Sequence, residues 1–208
     1  MFKSFWKSIF NFTKIKILHP LGSSPSISIF LRKIAELNFI RQKRIIKKYF
    51  NNEDHVLDIG CGTGEFSGFF SKDKYTGIDI DEKGINYAKE HCDKNFKIED
   101  ATKMTFVDSS FDNVLIVGVL HHLSEEDCKK VFREIKRVLV SGGKCLIMES
   151  TLCAHPLVKI MQSVDQGAYI RSFDKWHYMV KENFSIEEEF TFKNGITFYS
   201  AFLLKTDK

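Results

Sequence analysis

Apolar runs alternate with amphipathic stretches along most of this 208-residue chain, and short turn signals separate them. Near-continuous runs, such as 56–59 and 114–117, are typical of strands buried on both faces of a sheet. The stretch 125–139 instead repeats apolar residues every three or four positions, which predicts an amphipathic helix. Strands separated by helices predict a parallel sheet with helices on both faces, that is, a doubly wound α/β fold.

Five predicted strands and a terminal hairpin account for residues 55 to 204. The strands fall at 56–59, 75–80, 96–98, 111–117 and 144–148, and helices are expected from Glu65, at 81–92 and at 125–139. Lys193-Asn194-Gly195 joins two further β-like runs, 184–190 and 196–204, in the pattern of a hairpin. The predicted fold is a Rossmann-like, seven-stranded sheet, mostly parallel, with an antiparallel C-terminal hairpin strand.

The first 50 residues differ from the rest in pattern and in charge. Aromatic and aliphatic residues recur at helical spacing in residues 1–18, and Ser26 is a suitable N-cap for a second helix to about Tyr49. Residues 1–50 hold 11 Lys or Arg and one acidic residue, a net charge of +10, whereas the remainder holds 20 basic and 26 acidic residues, a net of −6. We therefore predict a basic helical segment, 1–50, and a separate domain, 51–208.

This basic segment allows several interpretations. Residues 1–24 suit a peripheral helix on an anionic membrane surface, because Trp and Phe lie on one side and lysines off that stripe. The same helix could pack on the domain as a lid over the substrate. The basic residues of 26–49 could bind nucleic acid, although a solvated helix face explains them equally well and no known nucleic-acid module accompanies them.

Composition narrows the class of protein. Hydrophobic residues make up 43% and charged residues 28% of the chain, as in a globular domain, and no apolar run has transmembrane length. Five cysteines without a C-x-x-C pair indicate reduced thiols rather than disulfides or a zinc site. We therefore expect a cytoplasmic protein without a metal, with contact at the inner membrane surface as the open alternative.

A glycine motif, Asp58-x-Gly60-x-Gly62-x-Gly64, follows the first predicted strand. It lacks the spacing of the dinucleotide fingerprint, which argues against an NAD-dependent oxidoreductase, and it lacks the Gly-Lys-Ser/Thr of a phosphate-binding loop. A carboxylate before the first glycine would repel a pyrophosphate but suits a cationic ligand. Asp79 ends the second strand 19 residues after Gly60, where its two oxygens can accept both hydroxyls of a ribose.

The glycine motif resembles the first motif of class I S-adenosylmethionine-dependent methyltransferases, and the whole pattern resembles their type 11 branch. The resemblance implies S-adenosylmethionine as the cofactor, with Asp58 near its ammonium group and the 60–64 backbone under its ribose and methionine parts. Asp100 would accept a hydrogen bond from the adenine amino group. The implied cofactor residues are Asp58, Gly60, Cys61, Gly62, Gly64, Asp79, Ile80, Asp100, Ala101 and Val117.

The sequence gives fewer signals for the residues that would bind or activate the methyl acceptor. His121 and His122 follow the apolar strand 111–117 and are the candidates for a general base, whereas Cys61 is interpreted as a small filler residue. Four residues of the stretch 151–182 are predicted to bind substrate: Tyr169, Arg171, Trp176 and His177. The type 11 branch mostly modifies small molecules or lipids, so we expect such an acceptor. A nucleic-acid methyltransferase, an NAD-dependent oxidoreductase and a non-catalytic binding protein are the alternatives.

Overall fold

One seven-stranded β-sheet organises the residues that the structure describes. The structure is a computed structural model, and it describes residues 36–152, 169–195 and 197–206. The strands are β1 (Val56–Ile59), β2 (Tyr75–Asp79), β3 (Asn95–Ile98), β4 (Phe111–Val117), β5 (Leu139–Ser150), β6 (Ser185–Asn194) and β7 (Thr197–Lys205). The α-helices of these ranges are α1 (Ile40–Tyr49), α2 (Glu82–His91), α3 (Glu125–Val138) and α4 (Phe173–Lys181).

The strand order is β3-β2-β1-β4-β5-β7-β6. Strands β1 to β5 pair in parallel, whereas β7 runs antiparallel to both β5 and β6. The chain moves outward from β1 to β3 and then returns to β4 on the other side of β1, so the strand order reverses between β1 and β4. This confirms the predicted fold, and ligands of open α/β sheets bind at the carboxyl end of such a reversal.

Both faces of the sheet are buried, which explains the near-continuous apolar runs. Alternate residues of one strand enter different clusters: Leu57 packs with α3 and α4, whereas Val56 packs with α1 and α2. Strand β4 divides in the same way, with Ile116 in the first cluster and Leu115 in the second. A strand in this setting needs apolar residues at successive positions, because neither of its faces meets water.

Helix α3 forms as the pattern predicts. Its buried residues are Cys128, Val131, Phe132, Ile135 and Val138, which recur every three or four positions along one stripe. Ser124 caps the helix, because its hydroxyl oxygen accepts a hydrogen bond from the Asp127 backbone N–H at 3.1 Å. The Cys128 thiol of this helix donates to the Leu120 carbonyl at 3.6 Å, which links the helix to the loop that carries His121.

The helix expected to begin at Glu65 does not form. A short 3₁₀ turn, Ser67–Phe69, lies there instead, and Phe70 has returned to an extended backbone. The Ser67 hydroxyl donates to the Gly64 carbonyl at 2.7 Å, a local bond that competes with helical pairing. The alternation of strands with helices is also incomplete between β3 and β4, where residues 99–110 form turns and loops.

The long helix predicted from Ser26 to Tyr49 is shorter than expected. Helix α1 begins only at Ile40, because Leu37, Asn38 and Phe39 have φ angles of 45°, 54° and 56°. Positive φ places these residues in the left-handed region, which no right-handed helix can pass through. Residues 1–35, which include the predicted helix at 1–18 and the segment 1–24, lie outside the described residues.

The described part of the basic segment is integral to the domain. Phe39, Ile46 and Phe50 are almost completely buried in the same cluster as Phe192 and Tyr199 of the C-terminal hairpin. The predicted boundary at residue 50 therefore cuts through a packed core rather than a linker. Burial of these apolar side chains ties residues 36–50 to the sheet.

The described ranges show neither of two further features. None of their helices has the length and apolar character needed to span a membrane. They also contain no group of three or more His, Cys, Asp or Glu side chains arranged to hold a metal ion.

Candidate active site

The glycine turn occupies the carboxyl end of β1, at the point where the strand order reverses. Gly60 and Cys61 both donate their N–H groups to the Ile78 carbonyl, at 2.7 and 3.0 Å, and so tie the turn to β2. A Cβ at Gly60, whose φ is +69°, would lie 2.2 Å from a methyl of Val119. A Cβ at Gly62 would instead meet no atom of the described residues within 4 Å, so these residues leave space beside the turn at this glycine.

Gly60→Ala should destabilise the protein by about 2 kcal/mol, because an L side chain is strained at positive φ and the new methyl overlaps Val119. Gly68→Ala is the matched control, since its Cβ would enter open space without positive φ, and it should stay within about 0.5 kcal/mol of wild type. Urea unfolding of both variants measures the difference. Equal stabilities for the two variants would contradict the described turn.

Asp58 lies in β1 directly before this turn and is fully buried. Its carboxylate accepts a hydrogen bond of 2.6 Å from the Tyr75 hydroxyl. Burial raises the pKa of the Asp58 carboxyl to about 7; the bond from Tyr75 opposes the shift, and the negative charge of Asp79 adds to it. Ionisation of this buried carboxyl is energetically unfavourable. A ligand with positive charge would stabilise the ionised form, so the site favours a cationic ligand.

Cys61, inside the turn, is buried against Gly77, whose Cβ would lie 2.8 Å from the Cys61 sulfur. Burial, together with the charges of Asp58 and Asp79, raises the pKa of this thiol far above its usual range. A thiol that stays protonated is a poor nucleophile. The structure therefore places Cys61 as a small packing residue that also lines the cleft beside the turn.

Asp79 joins the end of β2 to the glycine turn. One carboxylate oxygen accepts from the Gly62 N–H and the other from the Asp81 N–H, both at 2.9 Å. Next to it, Ile80 is 76% exposed, which is unusual for a large apolar residue beside a buried strand. An oriented carboxylate beside an exposed aliphatic surface can hold the hydroxyls and the flat ring of a nucleoside.

Asp100 and Ala101 follow β3 at the same edge of the sheet. The Thr102 hydroxyl and the Thr102 backbone N–H both donate hydrogen bonds to the Asp100 carboxylate. These bonds, with the hydroxyl's the larger effect, lower the pKa of the Asp100 carboxyl. Ala101 packs against the core, and Ile98 before it is half exposed. Asp58, Asp79 and Asp100 thus lie at or near the carboxyl ends of the adjacent strands β1, β2 and β3.

A narrow cleft adjoins Asp58 and the glycine turn. Its lining residues are Phe39, Asp58, Gly60, Cys61, Gly62, Thr63, Glu65, Phe66 and Val117. The sequence predicts Asp58, Gly60, Cys61, Gly62 and Val117 of this lining, but it does not predict Phe39, Thr63, Glu65 and Phe66. Glu65 and Phe66 follow the glycines directly, so their proximity was a usable signal, whereas Phe39 comes from a separate part of the chain.

These residues fit S-adenosylmethionine. The space at Gly62 allows a ligand to lie against the backbone, and carboxylates stand on either side of the turn. Asp58 suits the ammonium and sulfonium charges, Asp79 suits the ribose hydroxyls, and Ile80 with Ala101 offers an apolar surface for adenine. Among the described residues, the lining of the cleft includes no Lys or Arg that would select a phosphate.

His121 lies on a short 3₁₀ turn, Leu120–His122, just beyond the end of β4. Its ring Nδ1 is 2.8 Å from the carboxylate of Glu149, a residue at the end of β5 that is completely buried. Glu149 also accepts the backbone N–H groups of Val119 and Leu120, at 2.9 and 2.8 Å. Sequence reasoning missed Glu149, although an acidic residue at the carboxyl end of an apolar strand was a signal.

His122 is exposed, and its ring lies 4.2 Å from that of His121, centroid to centroid. The two candidate bases therefore differ in environment. The buried His121 has a carboxylate that can hold one ring nitrogen as a donor and leave the other as a proton acceptor. His122 instead faces solvent beside it.

Arg171, predicted to bind substrate, is buried and structural. Its guanidinium donates to the carbonyls of Leu120 and Leu123, at 3.2 and 2.8 Å, and lies 4.8 Å from the Trp176 ring centroid. Only 7% of Arg171 is exposed, so its donors are already used in holding the His121 turn. Tyr169 is 45% exposed, and its N–H donates to the His121 carbonyl at 2.9 Å, which places it beside the candidate base.

Trp176 and His177 depart from the substrate-binding prediction. Trp176 is completely buried in the core, where its indole N–H donates to the Ser150 carbonyl at 3.2 Å. His177 lies on the other side of α4 and contacts the Glu189 carboxylate of β6 at 2.6 Å. The apolar spacing of Trp176, Met179 and Val180 was a signal that this stretch forms a packed helix.

Comparison with known proteins agrees with this geometry. Residues 56–143 match the family model for a methyltransferase domain. The chain is 32% identical over 141 residues to the eEF1A lysine and N-terminal methyltransferase of Xenopus laevis. This match covers 61% of this chain and 20% of that protein. It is 32% identical over 125 residues to phosphoethanolamine N-methyltransferase 3 of Arabidopsis thaliana, which covers 56% of this chain and 24% of that protein.

The chain thus spans a quarter or less of the length of these two relatives. Among solved structures, it resembles an S-adenosylmethionine-dependent methyltransferase from Methanosarcina mazei. The TM-score is 0.68 at 20% identity, and the match covers 78% of this chain and 96% of that one. At that identity the likeness supports the fold, while the family model and the curated relatives add the class of domain. Residues 56–143 thus form a methyltransferase domain, on a fold shared with S-adenosylmethionine-dependent methyltransferases, and the cofactor that this family implies is S-adenosylmethionine.

Proposed function

We propose that this protein transfers the methyl group of S-adenosylmethionine to a small-molecule or lipid-like acceptor. The observation that carries the proposal is the gathering of Asp58, the open glycine turn and Asp79 at one edge of the sheet, next to the His121 turn. When bound, the cofactor supplies a methyl group already activated by its sulfonium. The protein then has to align the acceptor with that methyl and exclude water.

His121 is proposed as the general base for an acceptor that carries a proton at the working pH. The Glu149 carboxylate lies 2.8 Å from Nδ1, so the Nδ1–H tautomer is favoured, and in that tautomer Nε2 is the basic nitrogen. Backbone N–H groups hold Glu149, and Arg171 holds the carbonyls on the other side of the same turn. The imidazole therefore sits on a turn that is fixed by two buried charged side chains.

The relatives support a proposal about the acceptor only broadly, because one is a methyltransferase of protein lysine and N-termini and the other acts on phosphoethanolamine. The deep position of His121, which is 4% exposed, favours an acceptor small or slender enough to reach it. A small amine, alcohol or quinol meets that condition. The proposed location stays the cytoplasm, and flotation with lipid vesicles, with and without residues 1–24, would test contact with a membrane.

The direct test follows formation of S-adenosylhomocysteine with a panel of acceptors. The panel includes phosphoethanolamine, a quinol lipid, a lysine-bearing peptide and RNA. We expect turnover with one of the first two. Turnover confined to the peptide or to RNA would replace the proposed acceptor class, and no turnover together with no cofactor binding would overturn the proposed activity.

With an acceptor in hand, His121→Gln should lower kcat about 100-fold, the usual contribution of a positioned base. Binding of S-adenosylhomocysteine should remain unchanged, because His121 is proposed to act on the acceptor and not on the cofactor. His122→Gln is the matched control and should keep kcat within about twofold of wild type. A loss confined to His122→Gln would transfer the role of base to that residue.

A further inference from the structure

We infer that Phe39 is a cofactor-binding residue at the methionine end of the site and that the buried Glu36 positions it. Residues 36–39, here called the strap, lie outside every motif that identified the site. The inference rests on the proposed cofactor site but on no step of methyl transfer. Its support comes from strain in the strap, from a buried polar cluster that holds it, and from the place where it puts one aromatic ring.

The strap has an unfavourable backbone. Leu37, Asn38 and Phe39 are consecutive residues with positive φ, and neither leucine nor phenylalanine adopts that region readily. Each such residue is energetically unfavourable and persists only where its surroundings hold it. Strained conformations of this kind cluster at ligand-binding sites, so the strap needs a reason for its shape.

A buried polar cluster supplies the restraint. The Glu36 carboxylate accepts the Tyr199 hydroxyl and, at 3.2 Å, the side-chain amide of Gln42. The side-chain amide of Asn194 donates to the Glu36 carbonyl, and its oxygen accepts the Arg41 N–H at 3.4 Å. Glu36 is 7% exposed, and its partners Asn194 and Tyr199 belong to the C-terminal hairpin. The two ends of the domain thus meet at the strap.

The strap places Phe39 in the wall of the cofactor cleft. The same cleft is lined by Asp58, Gly62 and Phe66, and the Phe39 and Phe66 rings meet edge to face at 5.8 Å. Just after the strap, the Lys43 ammonium pairs with Glu65, a further lining residue, at 2.9 Å. Contacts therefore link the strap to the segment after the glycines as well as to the hairpin.

These contacts explain why the strain is tolerated. A right-handed helix continuing through 37–39 would carry Phe39 in a different direction, whereas the left-handed turn brings Phe39 to the cleft that the glycine turn also lines. The cofactor's methionine end would then lie between the Phe39 ring and the backbone of residues 60–62. Glu36 does not line the cleft, so it acts through Phe39 as a positioning residue.

The test measures the affinity for S-adenosylhomocysteine by calorimetry on the full chain, well below the unfolding temperature. Phe39→Leu should weaken binding about tenfold. Phe50→Leu is the matched control, because Phe50 is buried in the same core cluster but does not line the cleft, and its affinity should match wild type. A Phe39→Leu affinity within twofold of wild type, or an equal loss in both variants, would overturn the inference.

Glu36→Gln tests the positioning role, and Tyr199→Phe, which removes one hydroxyl, serves if the first variant fails to fold. Either should weaken binding several-fold in the wild-type background and add little to Phe39→Leu, because both act through the same ring. Additive losses would overturn the role of Glu36. A wild-type protein that binds no S-adenosylhomocysteine would instead overturn the proposed cofactor site, so the two failures are distinguishable.

Discussion

Asp79→Ala should weaken binding of S-adenosylhomocysteine about 1000-fold, the largest effect on affinity expected of any single residue of the site. A carboxylate that accepts two ribose hydroxyls contributes about 2 kcal/mol for each charge-assisted bond, or about 4 kcal/mol in all. The free protein already orients this group, since the N–H groups of Gly62 and Asp81 hold its two oxygens at 2.9 Å. Calorimetry, or equilibrium dialysis for the weak variant, measures the loss.

Asp81→Ala provides the matched control. Asp81 is a carboxylate two residues away that caps α2 by accepting the N–H groups of Lys83 and Gly84, at 3.2 and 3.1 Å. Its removal should cost about 1 kcal/mol of stability and leave the affinity within about threefold of wild type. Comparable losses of affinity in both variants would show that damage to the β2–α2 loop, rather than a ribose contact, explains the result.

Sequence pattern was sufficient to predict the sheet and to assign the candidate cofactor residues to the ends of its strands. Buried parallel strands need successive apolar residues, so the run 114–117 could be recognised without its neighbours. Asp58, the glycines and Asp79 lie at the ends of consecutive strands, where short-range spacing decides position. The fold follows from such local signals because right-handed crossovers leave few ways to arrange the strands.

The acceptor side depends on contacts that no local pattern encodes. Arg171 can be buried because it donates to the carbonyls of Leu120 and Leu123. Every residue has a backbone carbonyl, so the sequence does not show which carbonyls will accept hydrogen bonds from an arginine. The sequence alone therefore suggests that Arg171, a polar residue in the stretch 151–182, contacts a ligand. Glu36 shows the same difficulty, since its partner Tyr199 lies 163 residues away and its neighbours in the sequence are mostly basic or apolar.

The prediction of a continuous helix up to Tyr49 is wrong for a related reason. Apolar residues at helical spacing predicted a continuous helix to Tyr49, and the spacing is correct for α1 itself. The break at 37–39 arises from tertiary contacts of Glu36 and Phe39 that override the local preference for a helix. Departures from local preference are expected where a protein builds a binding site, which is consistent with the place of the strap beside the cleft.

Asp58→Asn should stabilise the free protein at pH 8 by up to about 4 kcal/mol while weakening its cofactor binding. The folded protein holds the Asp58 proton more tightly than the unfolded chain does, because burial raises the pKa of this carboxyl from 3.8 to about 7. Between those two values the folded state binds more protons, so this group's contribution to stability falls as pH rises. A difference of about 3 pKa units corresponds to about 4 kcal/mol, reached above pH 7.

Asparagine removes this ionisation and keeps an oxygen that can accept the Tyr75 hydroxyl. Urea unfolding should therefore give similar stabilities for wild type and Asp58→Asn near pH 4 and a growing advantage for the variant up to pH 7. Asp73→Asn is the matched control, since Asp73 is exposed on the short turn Lys72–Lys74, and it should change little at any pH. A wild-type stability that does not fall relative to Asp58→Asn between pH 4 and pH 8 would contradict the burial of an ionising carboxyl.

Cofactor binding should show the opposite dependence on pH. The positive charges of S-adenosylmethionine favour the ionised form of Asp58, so binding releases a proton below pH 7, and the affinity should rise up to tenfold per pH unit before levelling off. Calorimetry at pH 6 in two buffers of different ionisation enthalpy would measure that proton, and Asp58→Asn should release none. The carboxylate thus reduces the stability of the free domain in order to bind a cation, a compromise expected of a functional site. Proton release that is equal in wild type and variant would assign the pH dependence to another group.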